Sequence, residues 1–129
     1  VSRFSVKNLM DIDDLFEGPE IEARFSRKYL DSEHLGISHF RYAPGFVSAD
    51  GHSHKVQEEA YVVLAGSGRI KLDDEAIELR RWDIVRVAPE VVRGFEAGPD
   101  GLEILAVGSD KPEGGDGVRA PDRWPLPGE

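Results

Sequence analysis

Two histidines one residue apart, His52 and His54, are followed closely by two adjacent carboxylates, Glu58 and Glu59. On an extended backbone, residues i and i+2 project to one face, so the two imidazoles can converge on one point. Neutral imidazole is a common ligand for first-row divalent metals, and a neighbouring carboxylate adds a hard anionic donor. The chemistry open to this cluster is therefore metal binding, against the ordinary alternative of a solvated loop pair. Glu59 shares strand parity with Tyr61 and Val63, which places it inward, while Glu58 falls on the opposite face as a solvated charge. The remaining histidines, His34 and His39, could each supply a further nitrogen or be plain surface and strand residues.

Other chemistries are poorly served. Cysteine is absent, which removes disulfides, thiolate zinc sites, iron–sulfur clusters and cysteine nucleophiles. No Gly-x-Ser-x-Gly elbow, phosphate-cradling loop or dinucleotide fingerprint is present. Gly66-Ser67-Gly68 joins apolar segments and opens no helix, so it reads as a turn.

The elements that must position the cluster are short and apolar. Ile21–Leu30, Leu35–Ala43, Ala60–Ala65, Arg69–Leu72, Ala76–Leu79, Ile84–Ala88 and Leu102–Val107 read as strands separated by turn residues. Asp73-Asp74 suggests a tight hairpin, and Gly98-Pro99-Asp100-Gly101 a turn. Asn8–Glu17 is the one helix candidate, with Leu9, Ile12, Leu15 and Phe16 at helical spacing. From Gly108 to Glu129, four prolines and five glycines argue against any strand or helix. That tail either lies extended over the body or docks Trp124 on a neighbouring subunit. Many short strands at close spacing point to an all-β sandwich or barrel.

Length and charge narrow the partners. The 129 residues suit one domain with an independent core. A net charge of −9 repels phosphate backbones, so nucleic acid and anionic membranes are poor partners. The longest uncharged apolar stretch, Ala60 to Ala65, falls far short of a membrane span. No basic segment followed by an apolar run opens the sequence, which sets a cytoplasmic expectation.

Four residues separate His54 from Glu59, and six separate Glu59 from Gly66, within the apolar run Tyr61–Ala65. The stretch HSHKVQEEAYVVLAGSG resembles the first motif of the cupin superfamily, and only Glu59, not Glu58, satisfies the spacing to Gly66. The motif's opening glycine departs by one position, at Gly45. A second cupin motif finds its best register at Trp82–Ala97, but there Trp82 stands for glycine, Ala88 for proline and Glu90 for glycine. Arg93 occupies the position of the third metal-binding histidine, and Ala97 that of asparagine.

The resemblance implies an all-β, antiparallel jelly-roll β-barrel. Residues 1–34 form an N-terminal extension with strand joining the barrel, 35–108 the barrel core and 109–129 a Pro/Gly-rich irregular tail. It further implies a homodimer with a small-molecule ligand in the barrel. Two functional readings follow. In one, His52, His54 and Glu59 hold a divalent metal (iron, manganese, nickel or zinc), with an oxygenase-like or isomerase-like reaction if the protein is an enzyme. In the other, the protein is a non-catalytic, metal-free binding module in which Arg93 replaces the third histidine. Arg93 is then a ligand-binding residue gripping an acidic small molecule, a partner for Glu59, or a rim cation paired with Glu96 or Asp83.

Overall fold

Alternating apolar residues place Tyr61, Val63 and Ile70 inward along one long strand, and Phe95, Ala97, Leu102, Ile104 and Ala106 inward along another. These two strands organise the molecule. In the computed structural model, which describes residues 3–121, the strands are β1 (Ile21–Phe25), β2 (Gly36–Tyr42), β3 (Asp50–His54), β4 (Glu59–Leu72), β5 (Glu75–Arg80), β6 (Ile84–Val87), β7 (Arg93–Gly108) and β8 (Gly117–Pro121). All pairings are antiparallel. No helix among the described residues is long and apolar enough to cross a membrane.

The paired strands β4 and β7 bend together and so belong to two halves of one curled sheet. Their first contact region pairs Glu59–Gly66 with Leu102–Gly108, flanked by β6 on one side and by β2 and β1 on the other. Their second pairs Gly68–Leu72 with Arg93–Ala97, flanked by β5 and by β3, which carries β8 on its outer edge. The two halves face each other across the core, in the jelly-roll manner.

The bend lies where sequence reasoning placed two turns. Register jumps from Gly66↔Leu102 to Gly68↔Ala97, so residues 98–101 stand opposite Ser67 alone. The glycines therefore serve a bulge and a close backbone approach, and both strands run through it. Gly66 has φ of +75°, and a Cβ there would collide with the Gly101 carbonyl oxygen. Gly66→Ala is expected to cost about 2 kcal/mol or more in urea denaturation, because strain and collision add. The tight turn at Trp82 keeps a positive φ of 75° without a glycine, at the position where the second motif has one.

Three further expectations are corrected. Asn8–Glu17 forms only a 3-10 turn at Leu9–Asp11. The Asp14 carboxylate instead accepts from the Phe16 and Ala23 amides, a local alternative to helical bonding. The strand expected to run to Leu30 stops at Phe25 and gives way to one helical turn, Arg27–Leu30, ended by Asp31 in the left-handed region. Finally, residues 109–116 are irregular but the tail then sustains β8, paired to β3 from Asp50↔Pro121 to His54↔Gly117. The glycines and proline cluster before this strand, at Pro112, Gly114 and Gly115, and Pro121 closes it on an edge, where proline is tolerated. Trp124 lies outside the described residues.

Candidate metal centre

Strand β3 ends on His52-Ser53-His54, and period-two alternation puts both imidazoles on its inner face, ring centroids 5.1 Å apart. Glu59 opens β4 and reaches back to them. His54 Nε2 lies 3.0 Å and His52 Nε2 3.6 Å from Glu59 Oε1. The Tyr61 hydroxyl donates to the same oxygen at 2.7 Å. One ligand atom from each of His52, His54 and Glu59 fits within 4.8 Å of the others. Glu58, as its parity demanded, is exposed and bonded to Arg86.

Arg93 pairs across the sheet with His52 and is fully buried. Its terminal nitrogens donate to the Ala88 and Pro89 carbonyls, at 3.1 and 3.4 Å. Only Nε faces the cluster, 4.0 Å from Glu59 Oε1 and without a hydrogen-bond partner. The two-pronged pairing with Glu59 is therefore not formed, because the fork is spent on backbone. The rim salt bridge is not formed either: Glu96 bonds Arg69, and Asp83 accepts from the Arg80 amide. Arg93 acts at the site as a fixed, dry positive charge. His39 and His34 stay apart from the cluster, bonded to Glu103 and Asp110.

Sequence reasoning missed Asp116. The tail brings its carboxylate to His54 Nδ1 at 2.9 Å, while its second oxygen accepts from the Val56 and Gln57 amides at 2.7 and 2.8 Å. Nothing local announces this contact, which spans 62 positions of chain. Burial works against ionising both carboxyls, yet hydrogen bonds outweigh it. The His52 and His54 imidazoles and the Tyr61 phenol hold Glu59 far below the usual carboxylate range. The Gln57 and Val56 amides and His54 bring Asp116 down to about 2. Between them His54 is raised above 6.5, first by its bond to Glu59 and then by Asp116, with burial opposing.

The cluster lies at the polar end of a cavity of about 470 Å³ between the two sheet halves. The rest of the lining combines aromatic rings, Phe40, Tyr42, Phe46 and Phe95 among them, with small and polar residues that include Arg27, Asp50 and Lys111. A family model described as Cupin domain (Cupin_2) matches residues 38–108, more than half of the chain. The chain belongs to the cupin family. Its match covers β2 through β7, and the metal-type cluster sits at the first cupin motif. In fold, this cupin is similar to a cupin protein from Bacteroides fragilis, with a TM-score of 0.71, 24% identity and coverage of 85% of this chain and 86% of the other. It is similar to KdgF from Halomonas sp., with a TM-score of 0.69, 18% identity and coverage of 85% and 96%. It also resembles a variant of oxalate decarboxylase from B. subtilis, with a TM-score of 0.74 and 23% identity, covering 89% of this chain but 33% of that one. A search of the curated proteins returns no match.

Proposed function

We propose that this cupin holds a divalent metal through His52, His54 and Glu59, with a small-molecule ligand in the cavity beside it. The observation that carries the reading is the environment of His54. Asp116 accepts a hydrogen bond from Nδ1, which fixes the tautomer and leaves Nε2 aimed at Glu59 Oε1. Two acceptors cannot bond each other, so a neutral His54 in that tautomer needs a cation between Nε2 and the carboxylate. A carboxylate behind a ligating imidazole is the usual arrangement around protein-bound metals. Two histidines and one carboxylate suit iron, manganese, nickel or zinc. When bound, such a metal supplies Lewis acidity and, for the redox-active ions, oxygenase-like chemistry.

The residues around the cluster have separable tasks. Asp116 orients His54. The Tyr61 phenol, kept protonated chiefly by burial, donates to Glu59 and holds its side chain in one rotamer. Arg93 adds positive charge. Glu59 and Asp116 together carry two negative charges against one on Arg93, so a divalent cation leaves the cluster with one positive charge in excess. The reading therefore includes an acidic ligand, in keeping with one structural neighbour being named for decarboxylating oxalate. A two-fold homodimer completes it, to be checked by light scattering.

A second reading has support from the same geometry. If His54 carries both protons, it donates to Asp116 and Glu59 at once, and the cluster is neutral with no metal. Arg93 standing at the third-histidine position favours this metal-free binding module. Titration separates the two. The raised folded pKa of His54 means that its stabilisation of the metal-free protein is full below about 6.5 and fades as pH rises through the folded value. Metal needs the neutral ring, so its own stabilisation grows over the same rise. Thermal melts with excess manganese or zinc should show a larger gain in Tm at about pH 8 than at about pH 6. No gain at either pH supports the metal-free module.

Asp116→Asn provides a further test. It is expected to weaken metal binding by about 10–100-fold, since the carboxylate that orients His54 is neutralised. Calorimetric titration reads this directly, and an unchanged affinity would remove Asp116 from the account.

A further inference from the structure

We propose that the cavity is built for a planar aromatic carboxylate, with its ring against one wall and its acid group at the His52–His54–Glu59 end. The proposal deepens the reading above and rests on its polar end being an anion-receiving site. Three observations carry it. First, the wall is an array of near-parallel rings. Tyr42 lies 4.9 Å from Phe46, 5.8 Å from Phe95 and 6.1 Å from Phe40, with interplanar angles of 6°, 26° and 15°. A planar guest can meet their faces or edges at the centroid separations that aromatic pairs prefer. Second, about 470 Å³ far exceeds what a two-carbon diacid fills and suits a body of one or two rings.

Third, the polar end offers a donor with no acceptor of its own. Arg93 contributes its charge there and not a donor, since its Nε is fully buried. The Tyr42 phenol lines the same cavity, and burial with the nearby Glu59 charge keeps it protonated. Among the described residues it has no hydrogen-bond partner. A donor of this kind selects a ligand that brings an acceptor, and the positive charge in excess once a divalent cation is bound favours an anionic one.

The test uses three probes on the full chain, each with and without saturating manganese. Benzoate carries ring and acid, acetate the acid alone, and benzyl alcohol the ring alone. Benzoate is expected to bind on the order of tenfold tighter than either. Phe46→Leu keeps apolar bulk but removes a ring, and is expected to erase most of the advantage over acetate. Ring-current shifts of the benzoate protons in the unaltered protein read the same contact without any variant. Acetate binding as well as benzoate overturns the aromatic half, and benzyl alcohol binding as well overturns the acidic half. An undiminished advantage in Phe46→Leu, or no benzoate binding at all, overturns the whole. Manganese titration alone, run first, judges the metal reading separately. Benzoate preferred over both other probes without any manganese binding would uphold the aromatic half, sink the metal and overturn its charge as the reason for the acid group.

Discussion

Glutamine in place of Glu59 is expected to abolish divalent-metal binding and to destabilise the metal-free protein by about 3 kcal/mol. The substitution keeps size and shape but removes the charge on which His52, His54, Tyr61 and Arg93 converge. Arg93 cannot release its proton and is fully buried, so its charge is left facing a neutral amide. His54 can shed its extra proton, which holds the loss near the low end for a broken buried pair. Metal binding suffers more, because the anionic ligand itself is gone. Calorimetric titration with manganese or zinc and urea unfolding check the two effects separately. A variant that still binds metal like the parent would show that Glu59 is not a ligand.

The second large effect has opposite signs in binding and stability. Arg93→Met fills similar volume without charge. The guanidinium Nε sits 4.0 Å from the proposed ligand oxygen, in a site partly shielded from water. Removing that repulsion is expected to tighten divalent-metal binding by about tenfold or more. The fold should lose stability all the same, because the Ala88 and Pro89 carbonyls each lose one of two donors, keeping the Val91 and His54 amides, at about 0.5–1.5 kcal/mol per bond lost. Anionic probes should bind more weakly in the variant. Unchanged metal affinity would mean that Arg93 buttresses the β6–β7 connection and exerts no field at the cluster.

The parts of the site legible in the sequence are those governed by local geometry. Two-residue alternation places His52 and His54 together, and it separates Glu59 from Glu58 across one strand. Arg93 was placed at the cluster by motif spacing. The direction of its guanidinium was not legible, because that depends on where the preceding turn places the Ala88 and Pro89 carbonyls. Strand identity followed apolar alternation well at β2 and from β4 to β6, but not at β3, where Asp50–His54 holds no apolar side chain and was not among the expected strands. It faltered at the bend, where glycine runs normally signal reversal but here permit two backbones to approach. It failed in the tail, since β8 has little apolar character and exists through pairing with β3. Asp116 was lost with it. A side chain recruited from 62 positions away leaves no periodic trace in a single sequence.

The central claim is that His52, His54 and Glu59 hold a divalent metal. Elemental analysis of protein purified without a metal-chelating tag tests it most directly, run beside a His52→Ala, His54→Ala double variant. The account predicts about one equivalent of a first-row divalent metal per chain in the parent and only a trace in the variant. Equal metal content in the two proteins, or none in the parent even after incubation with manganese, iron, nickel or zinc near pH 8, would contradict it.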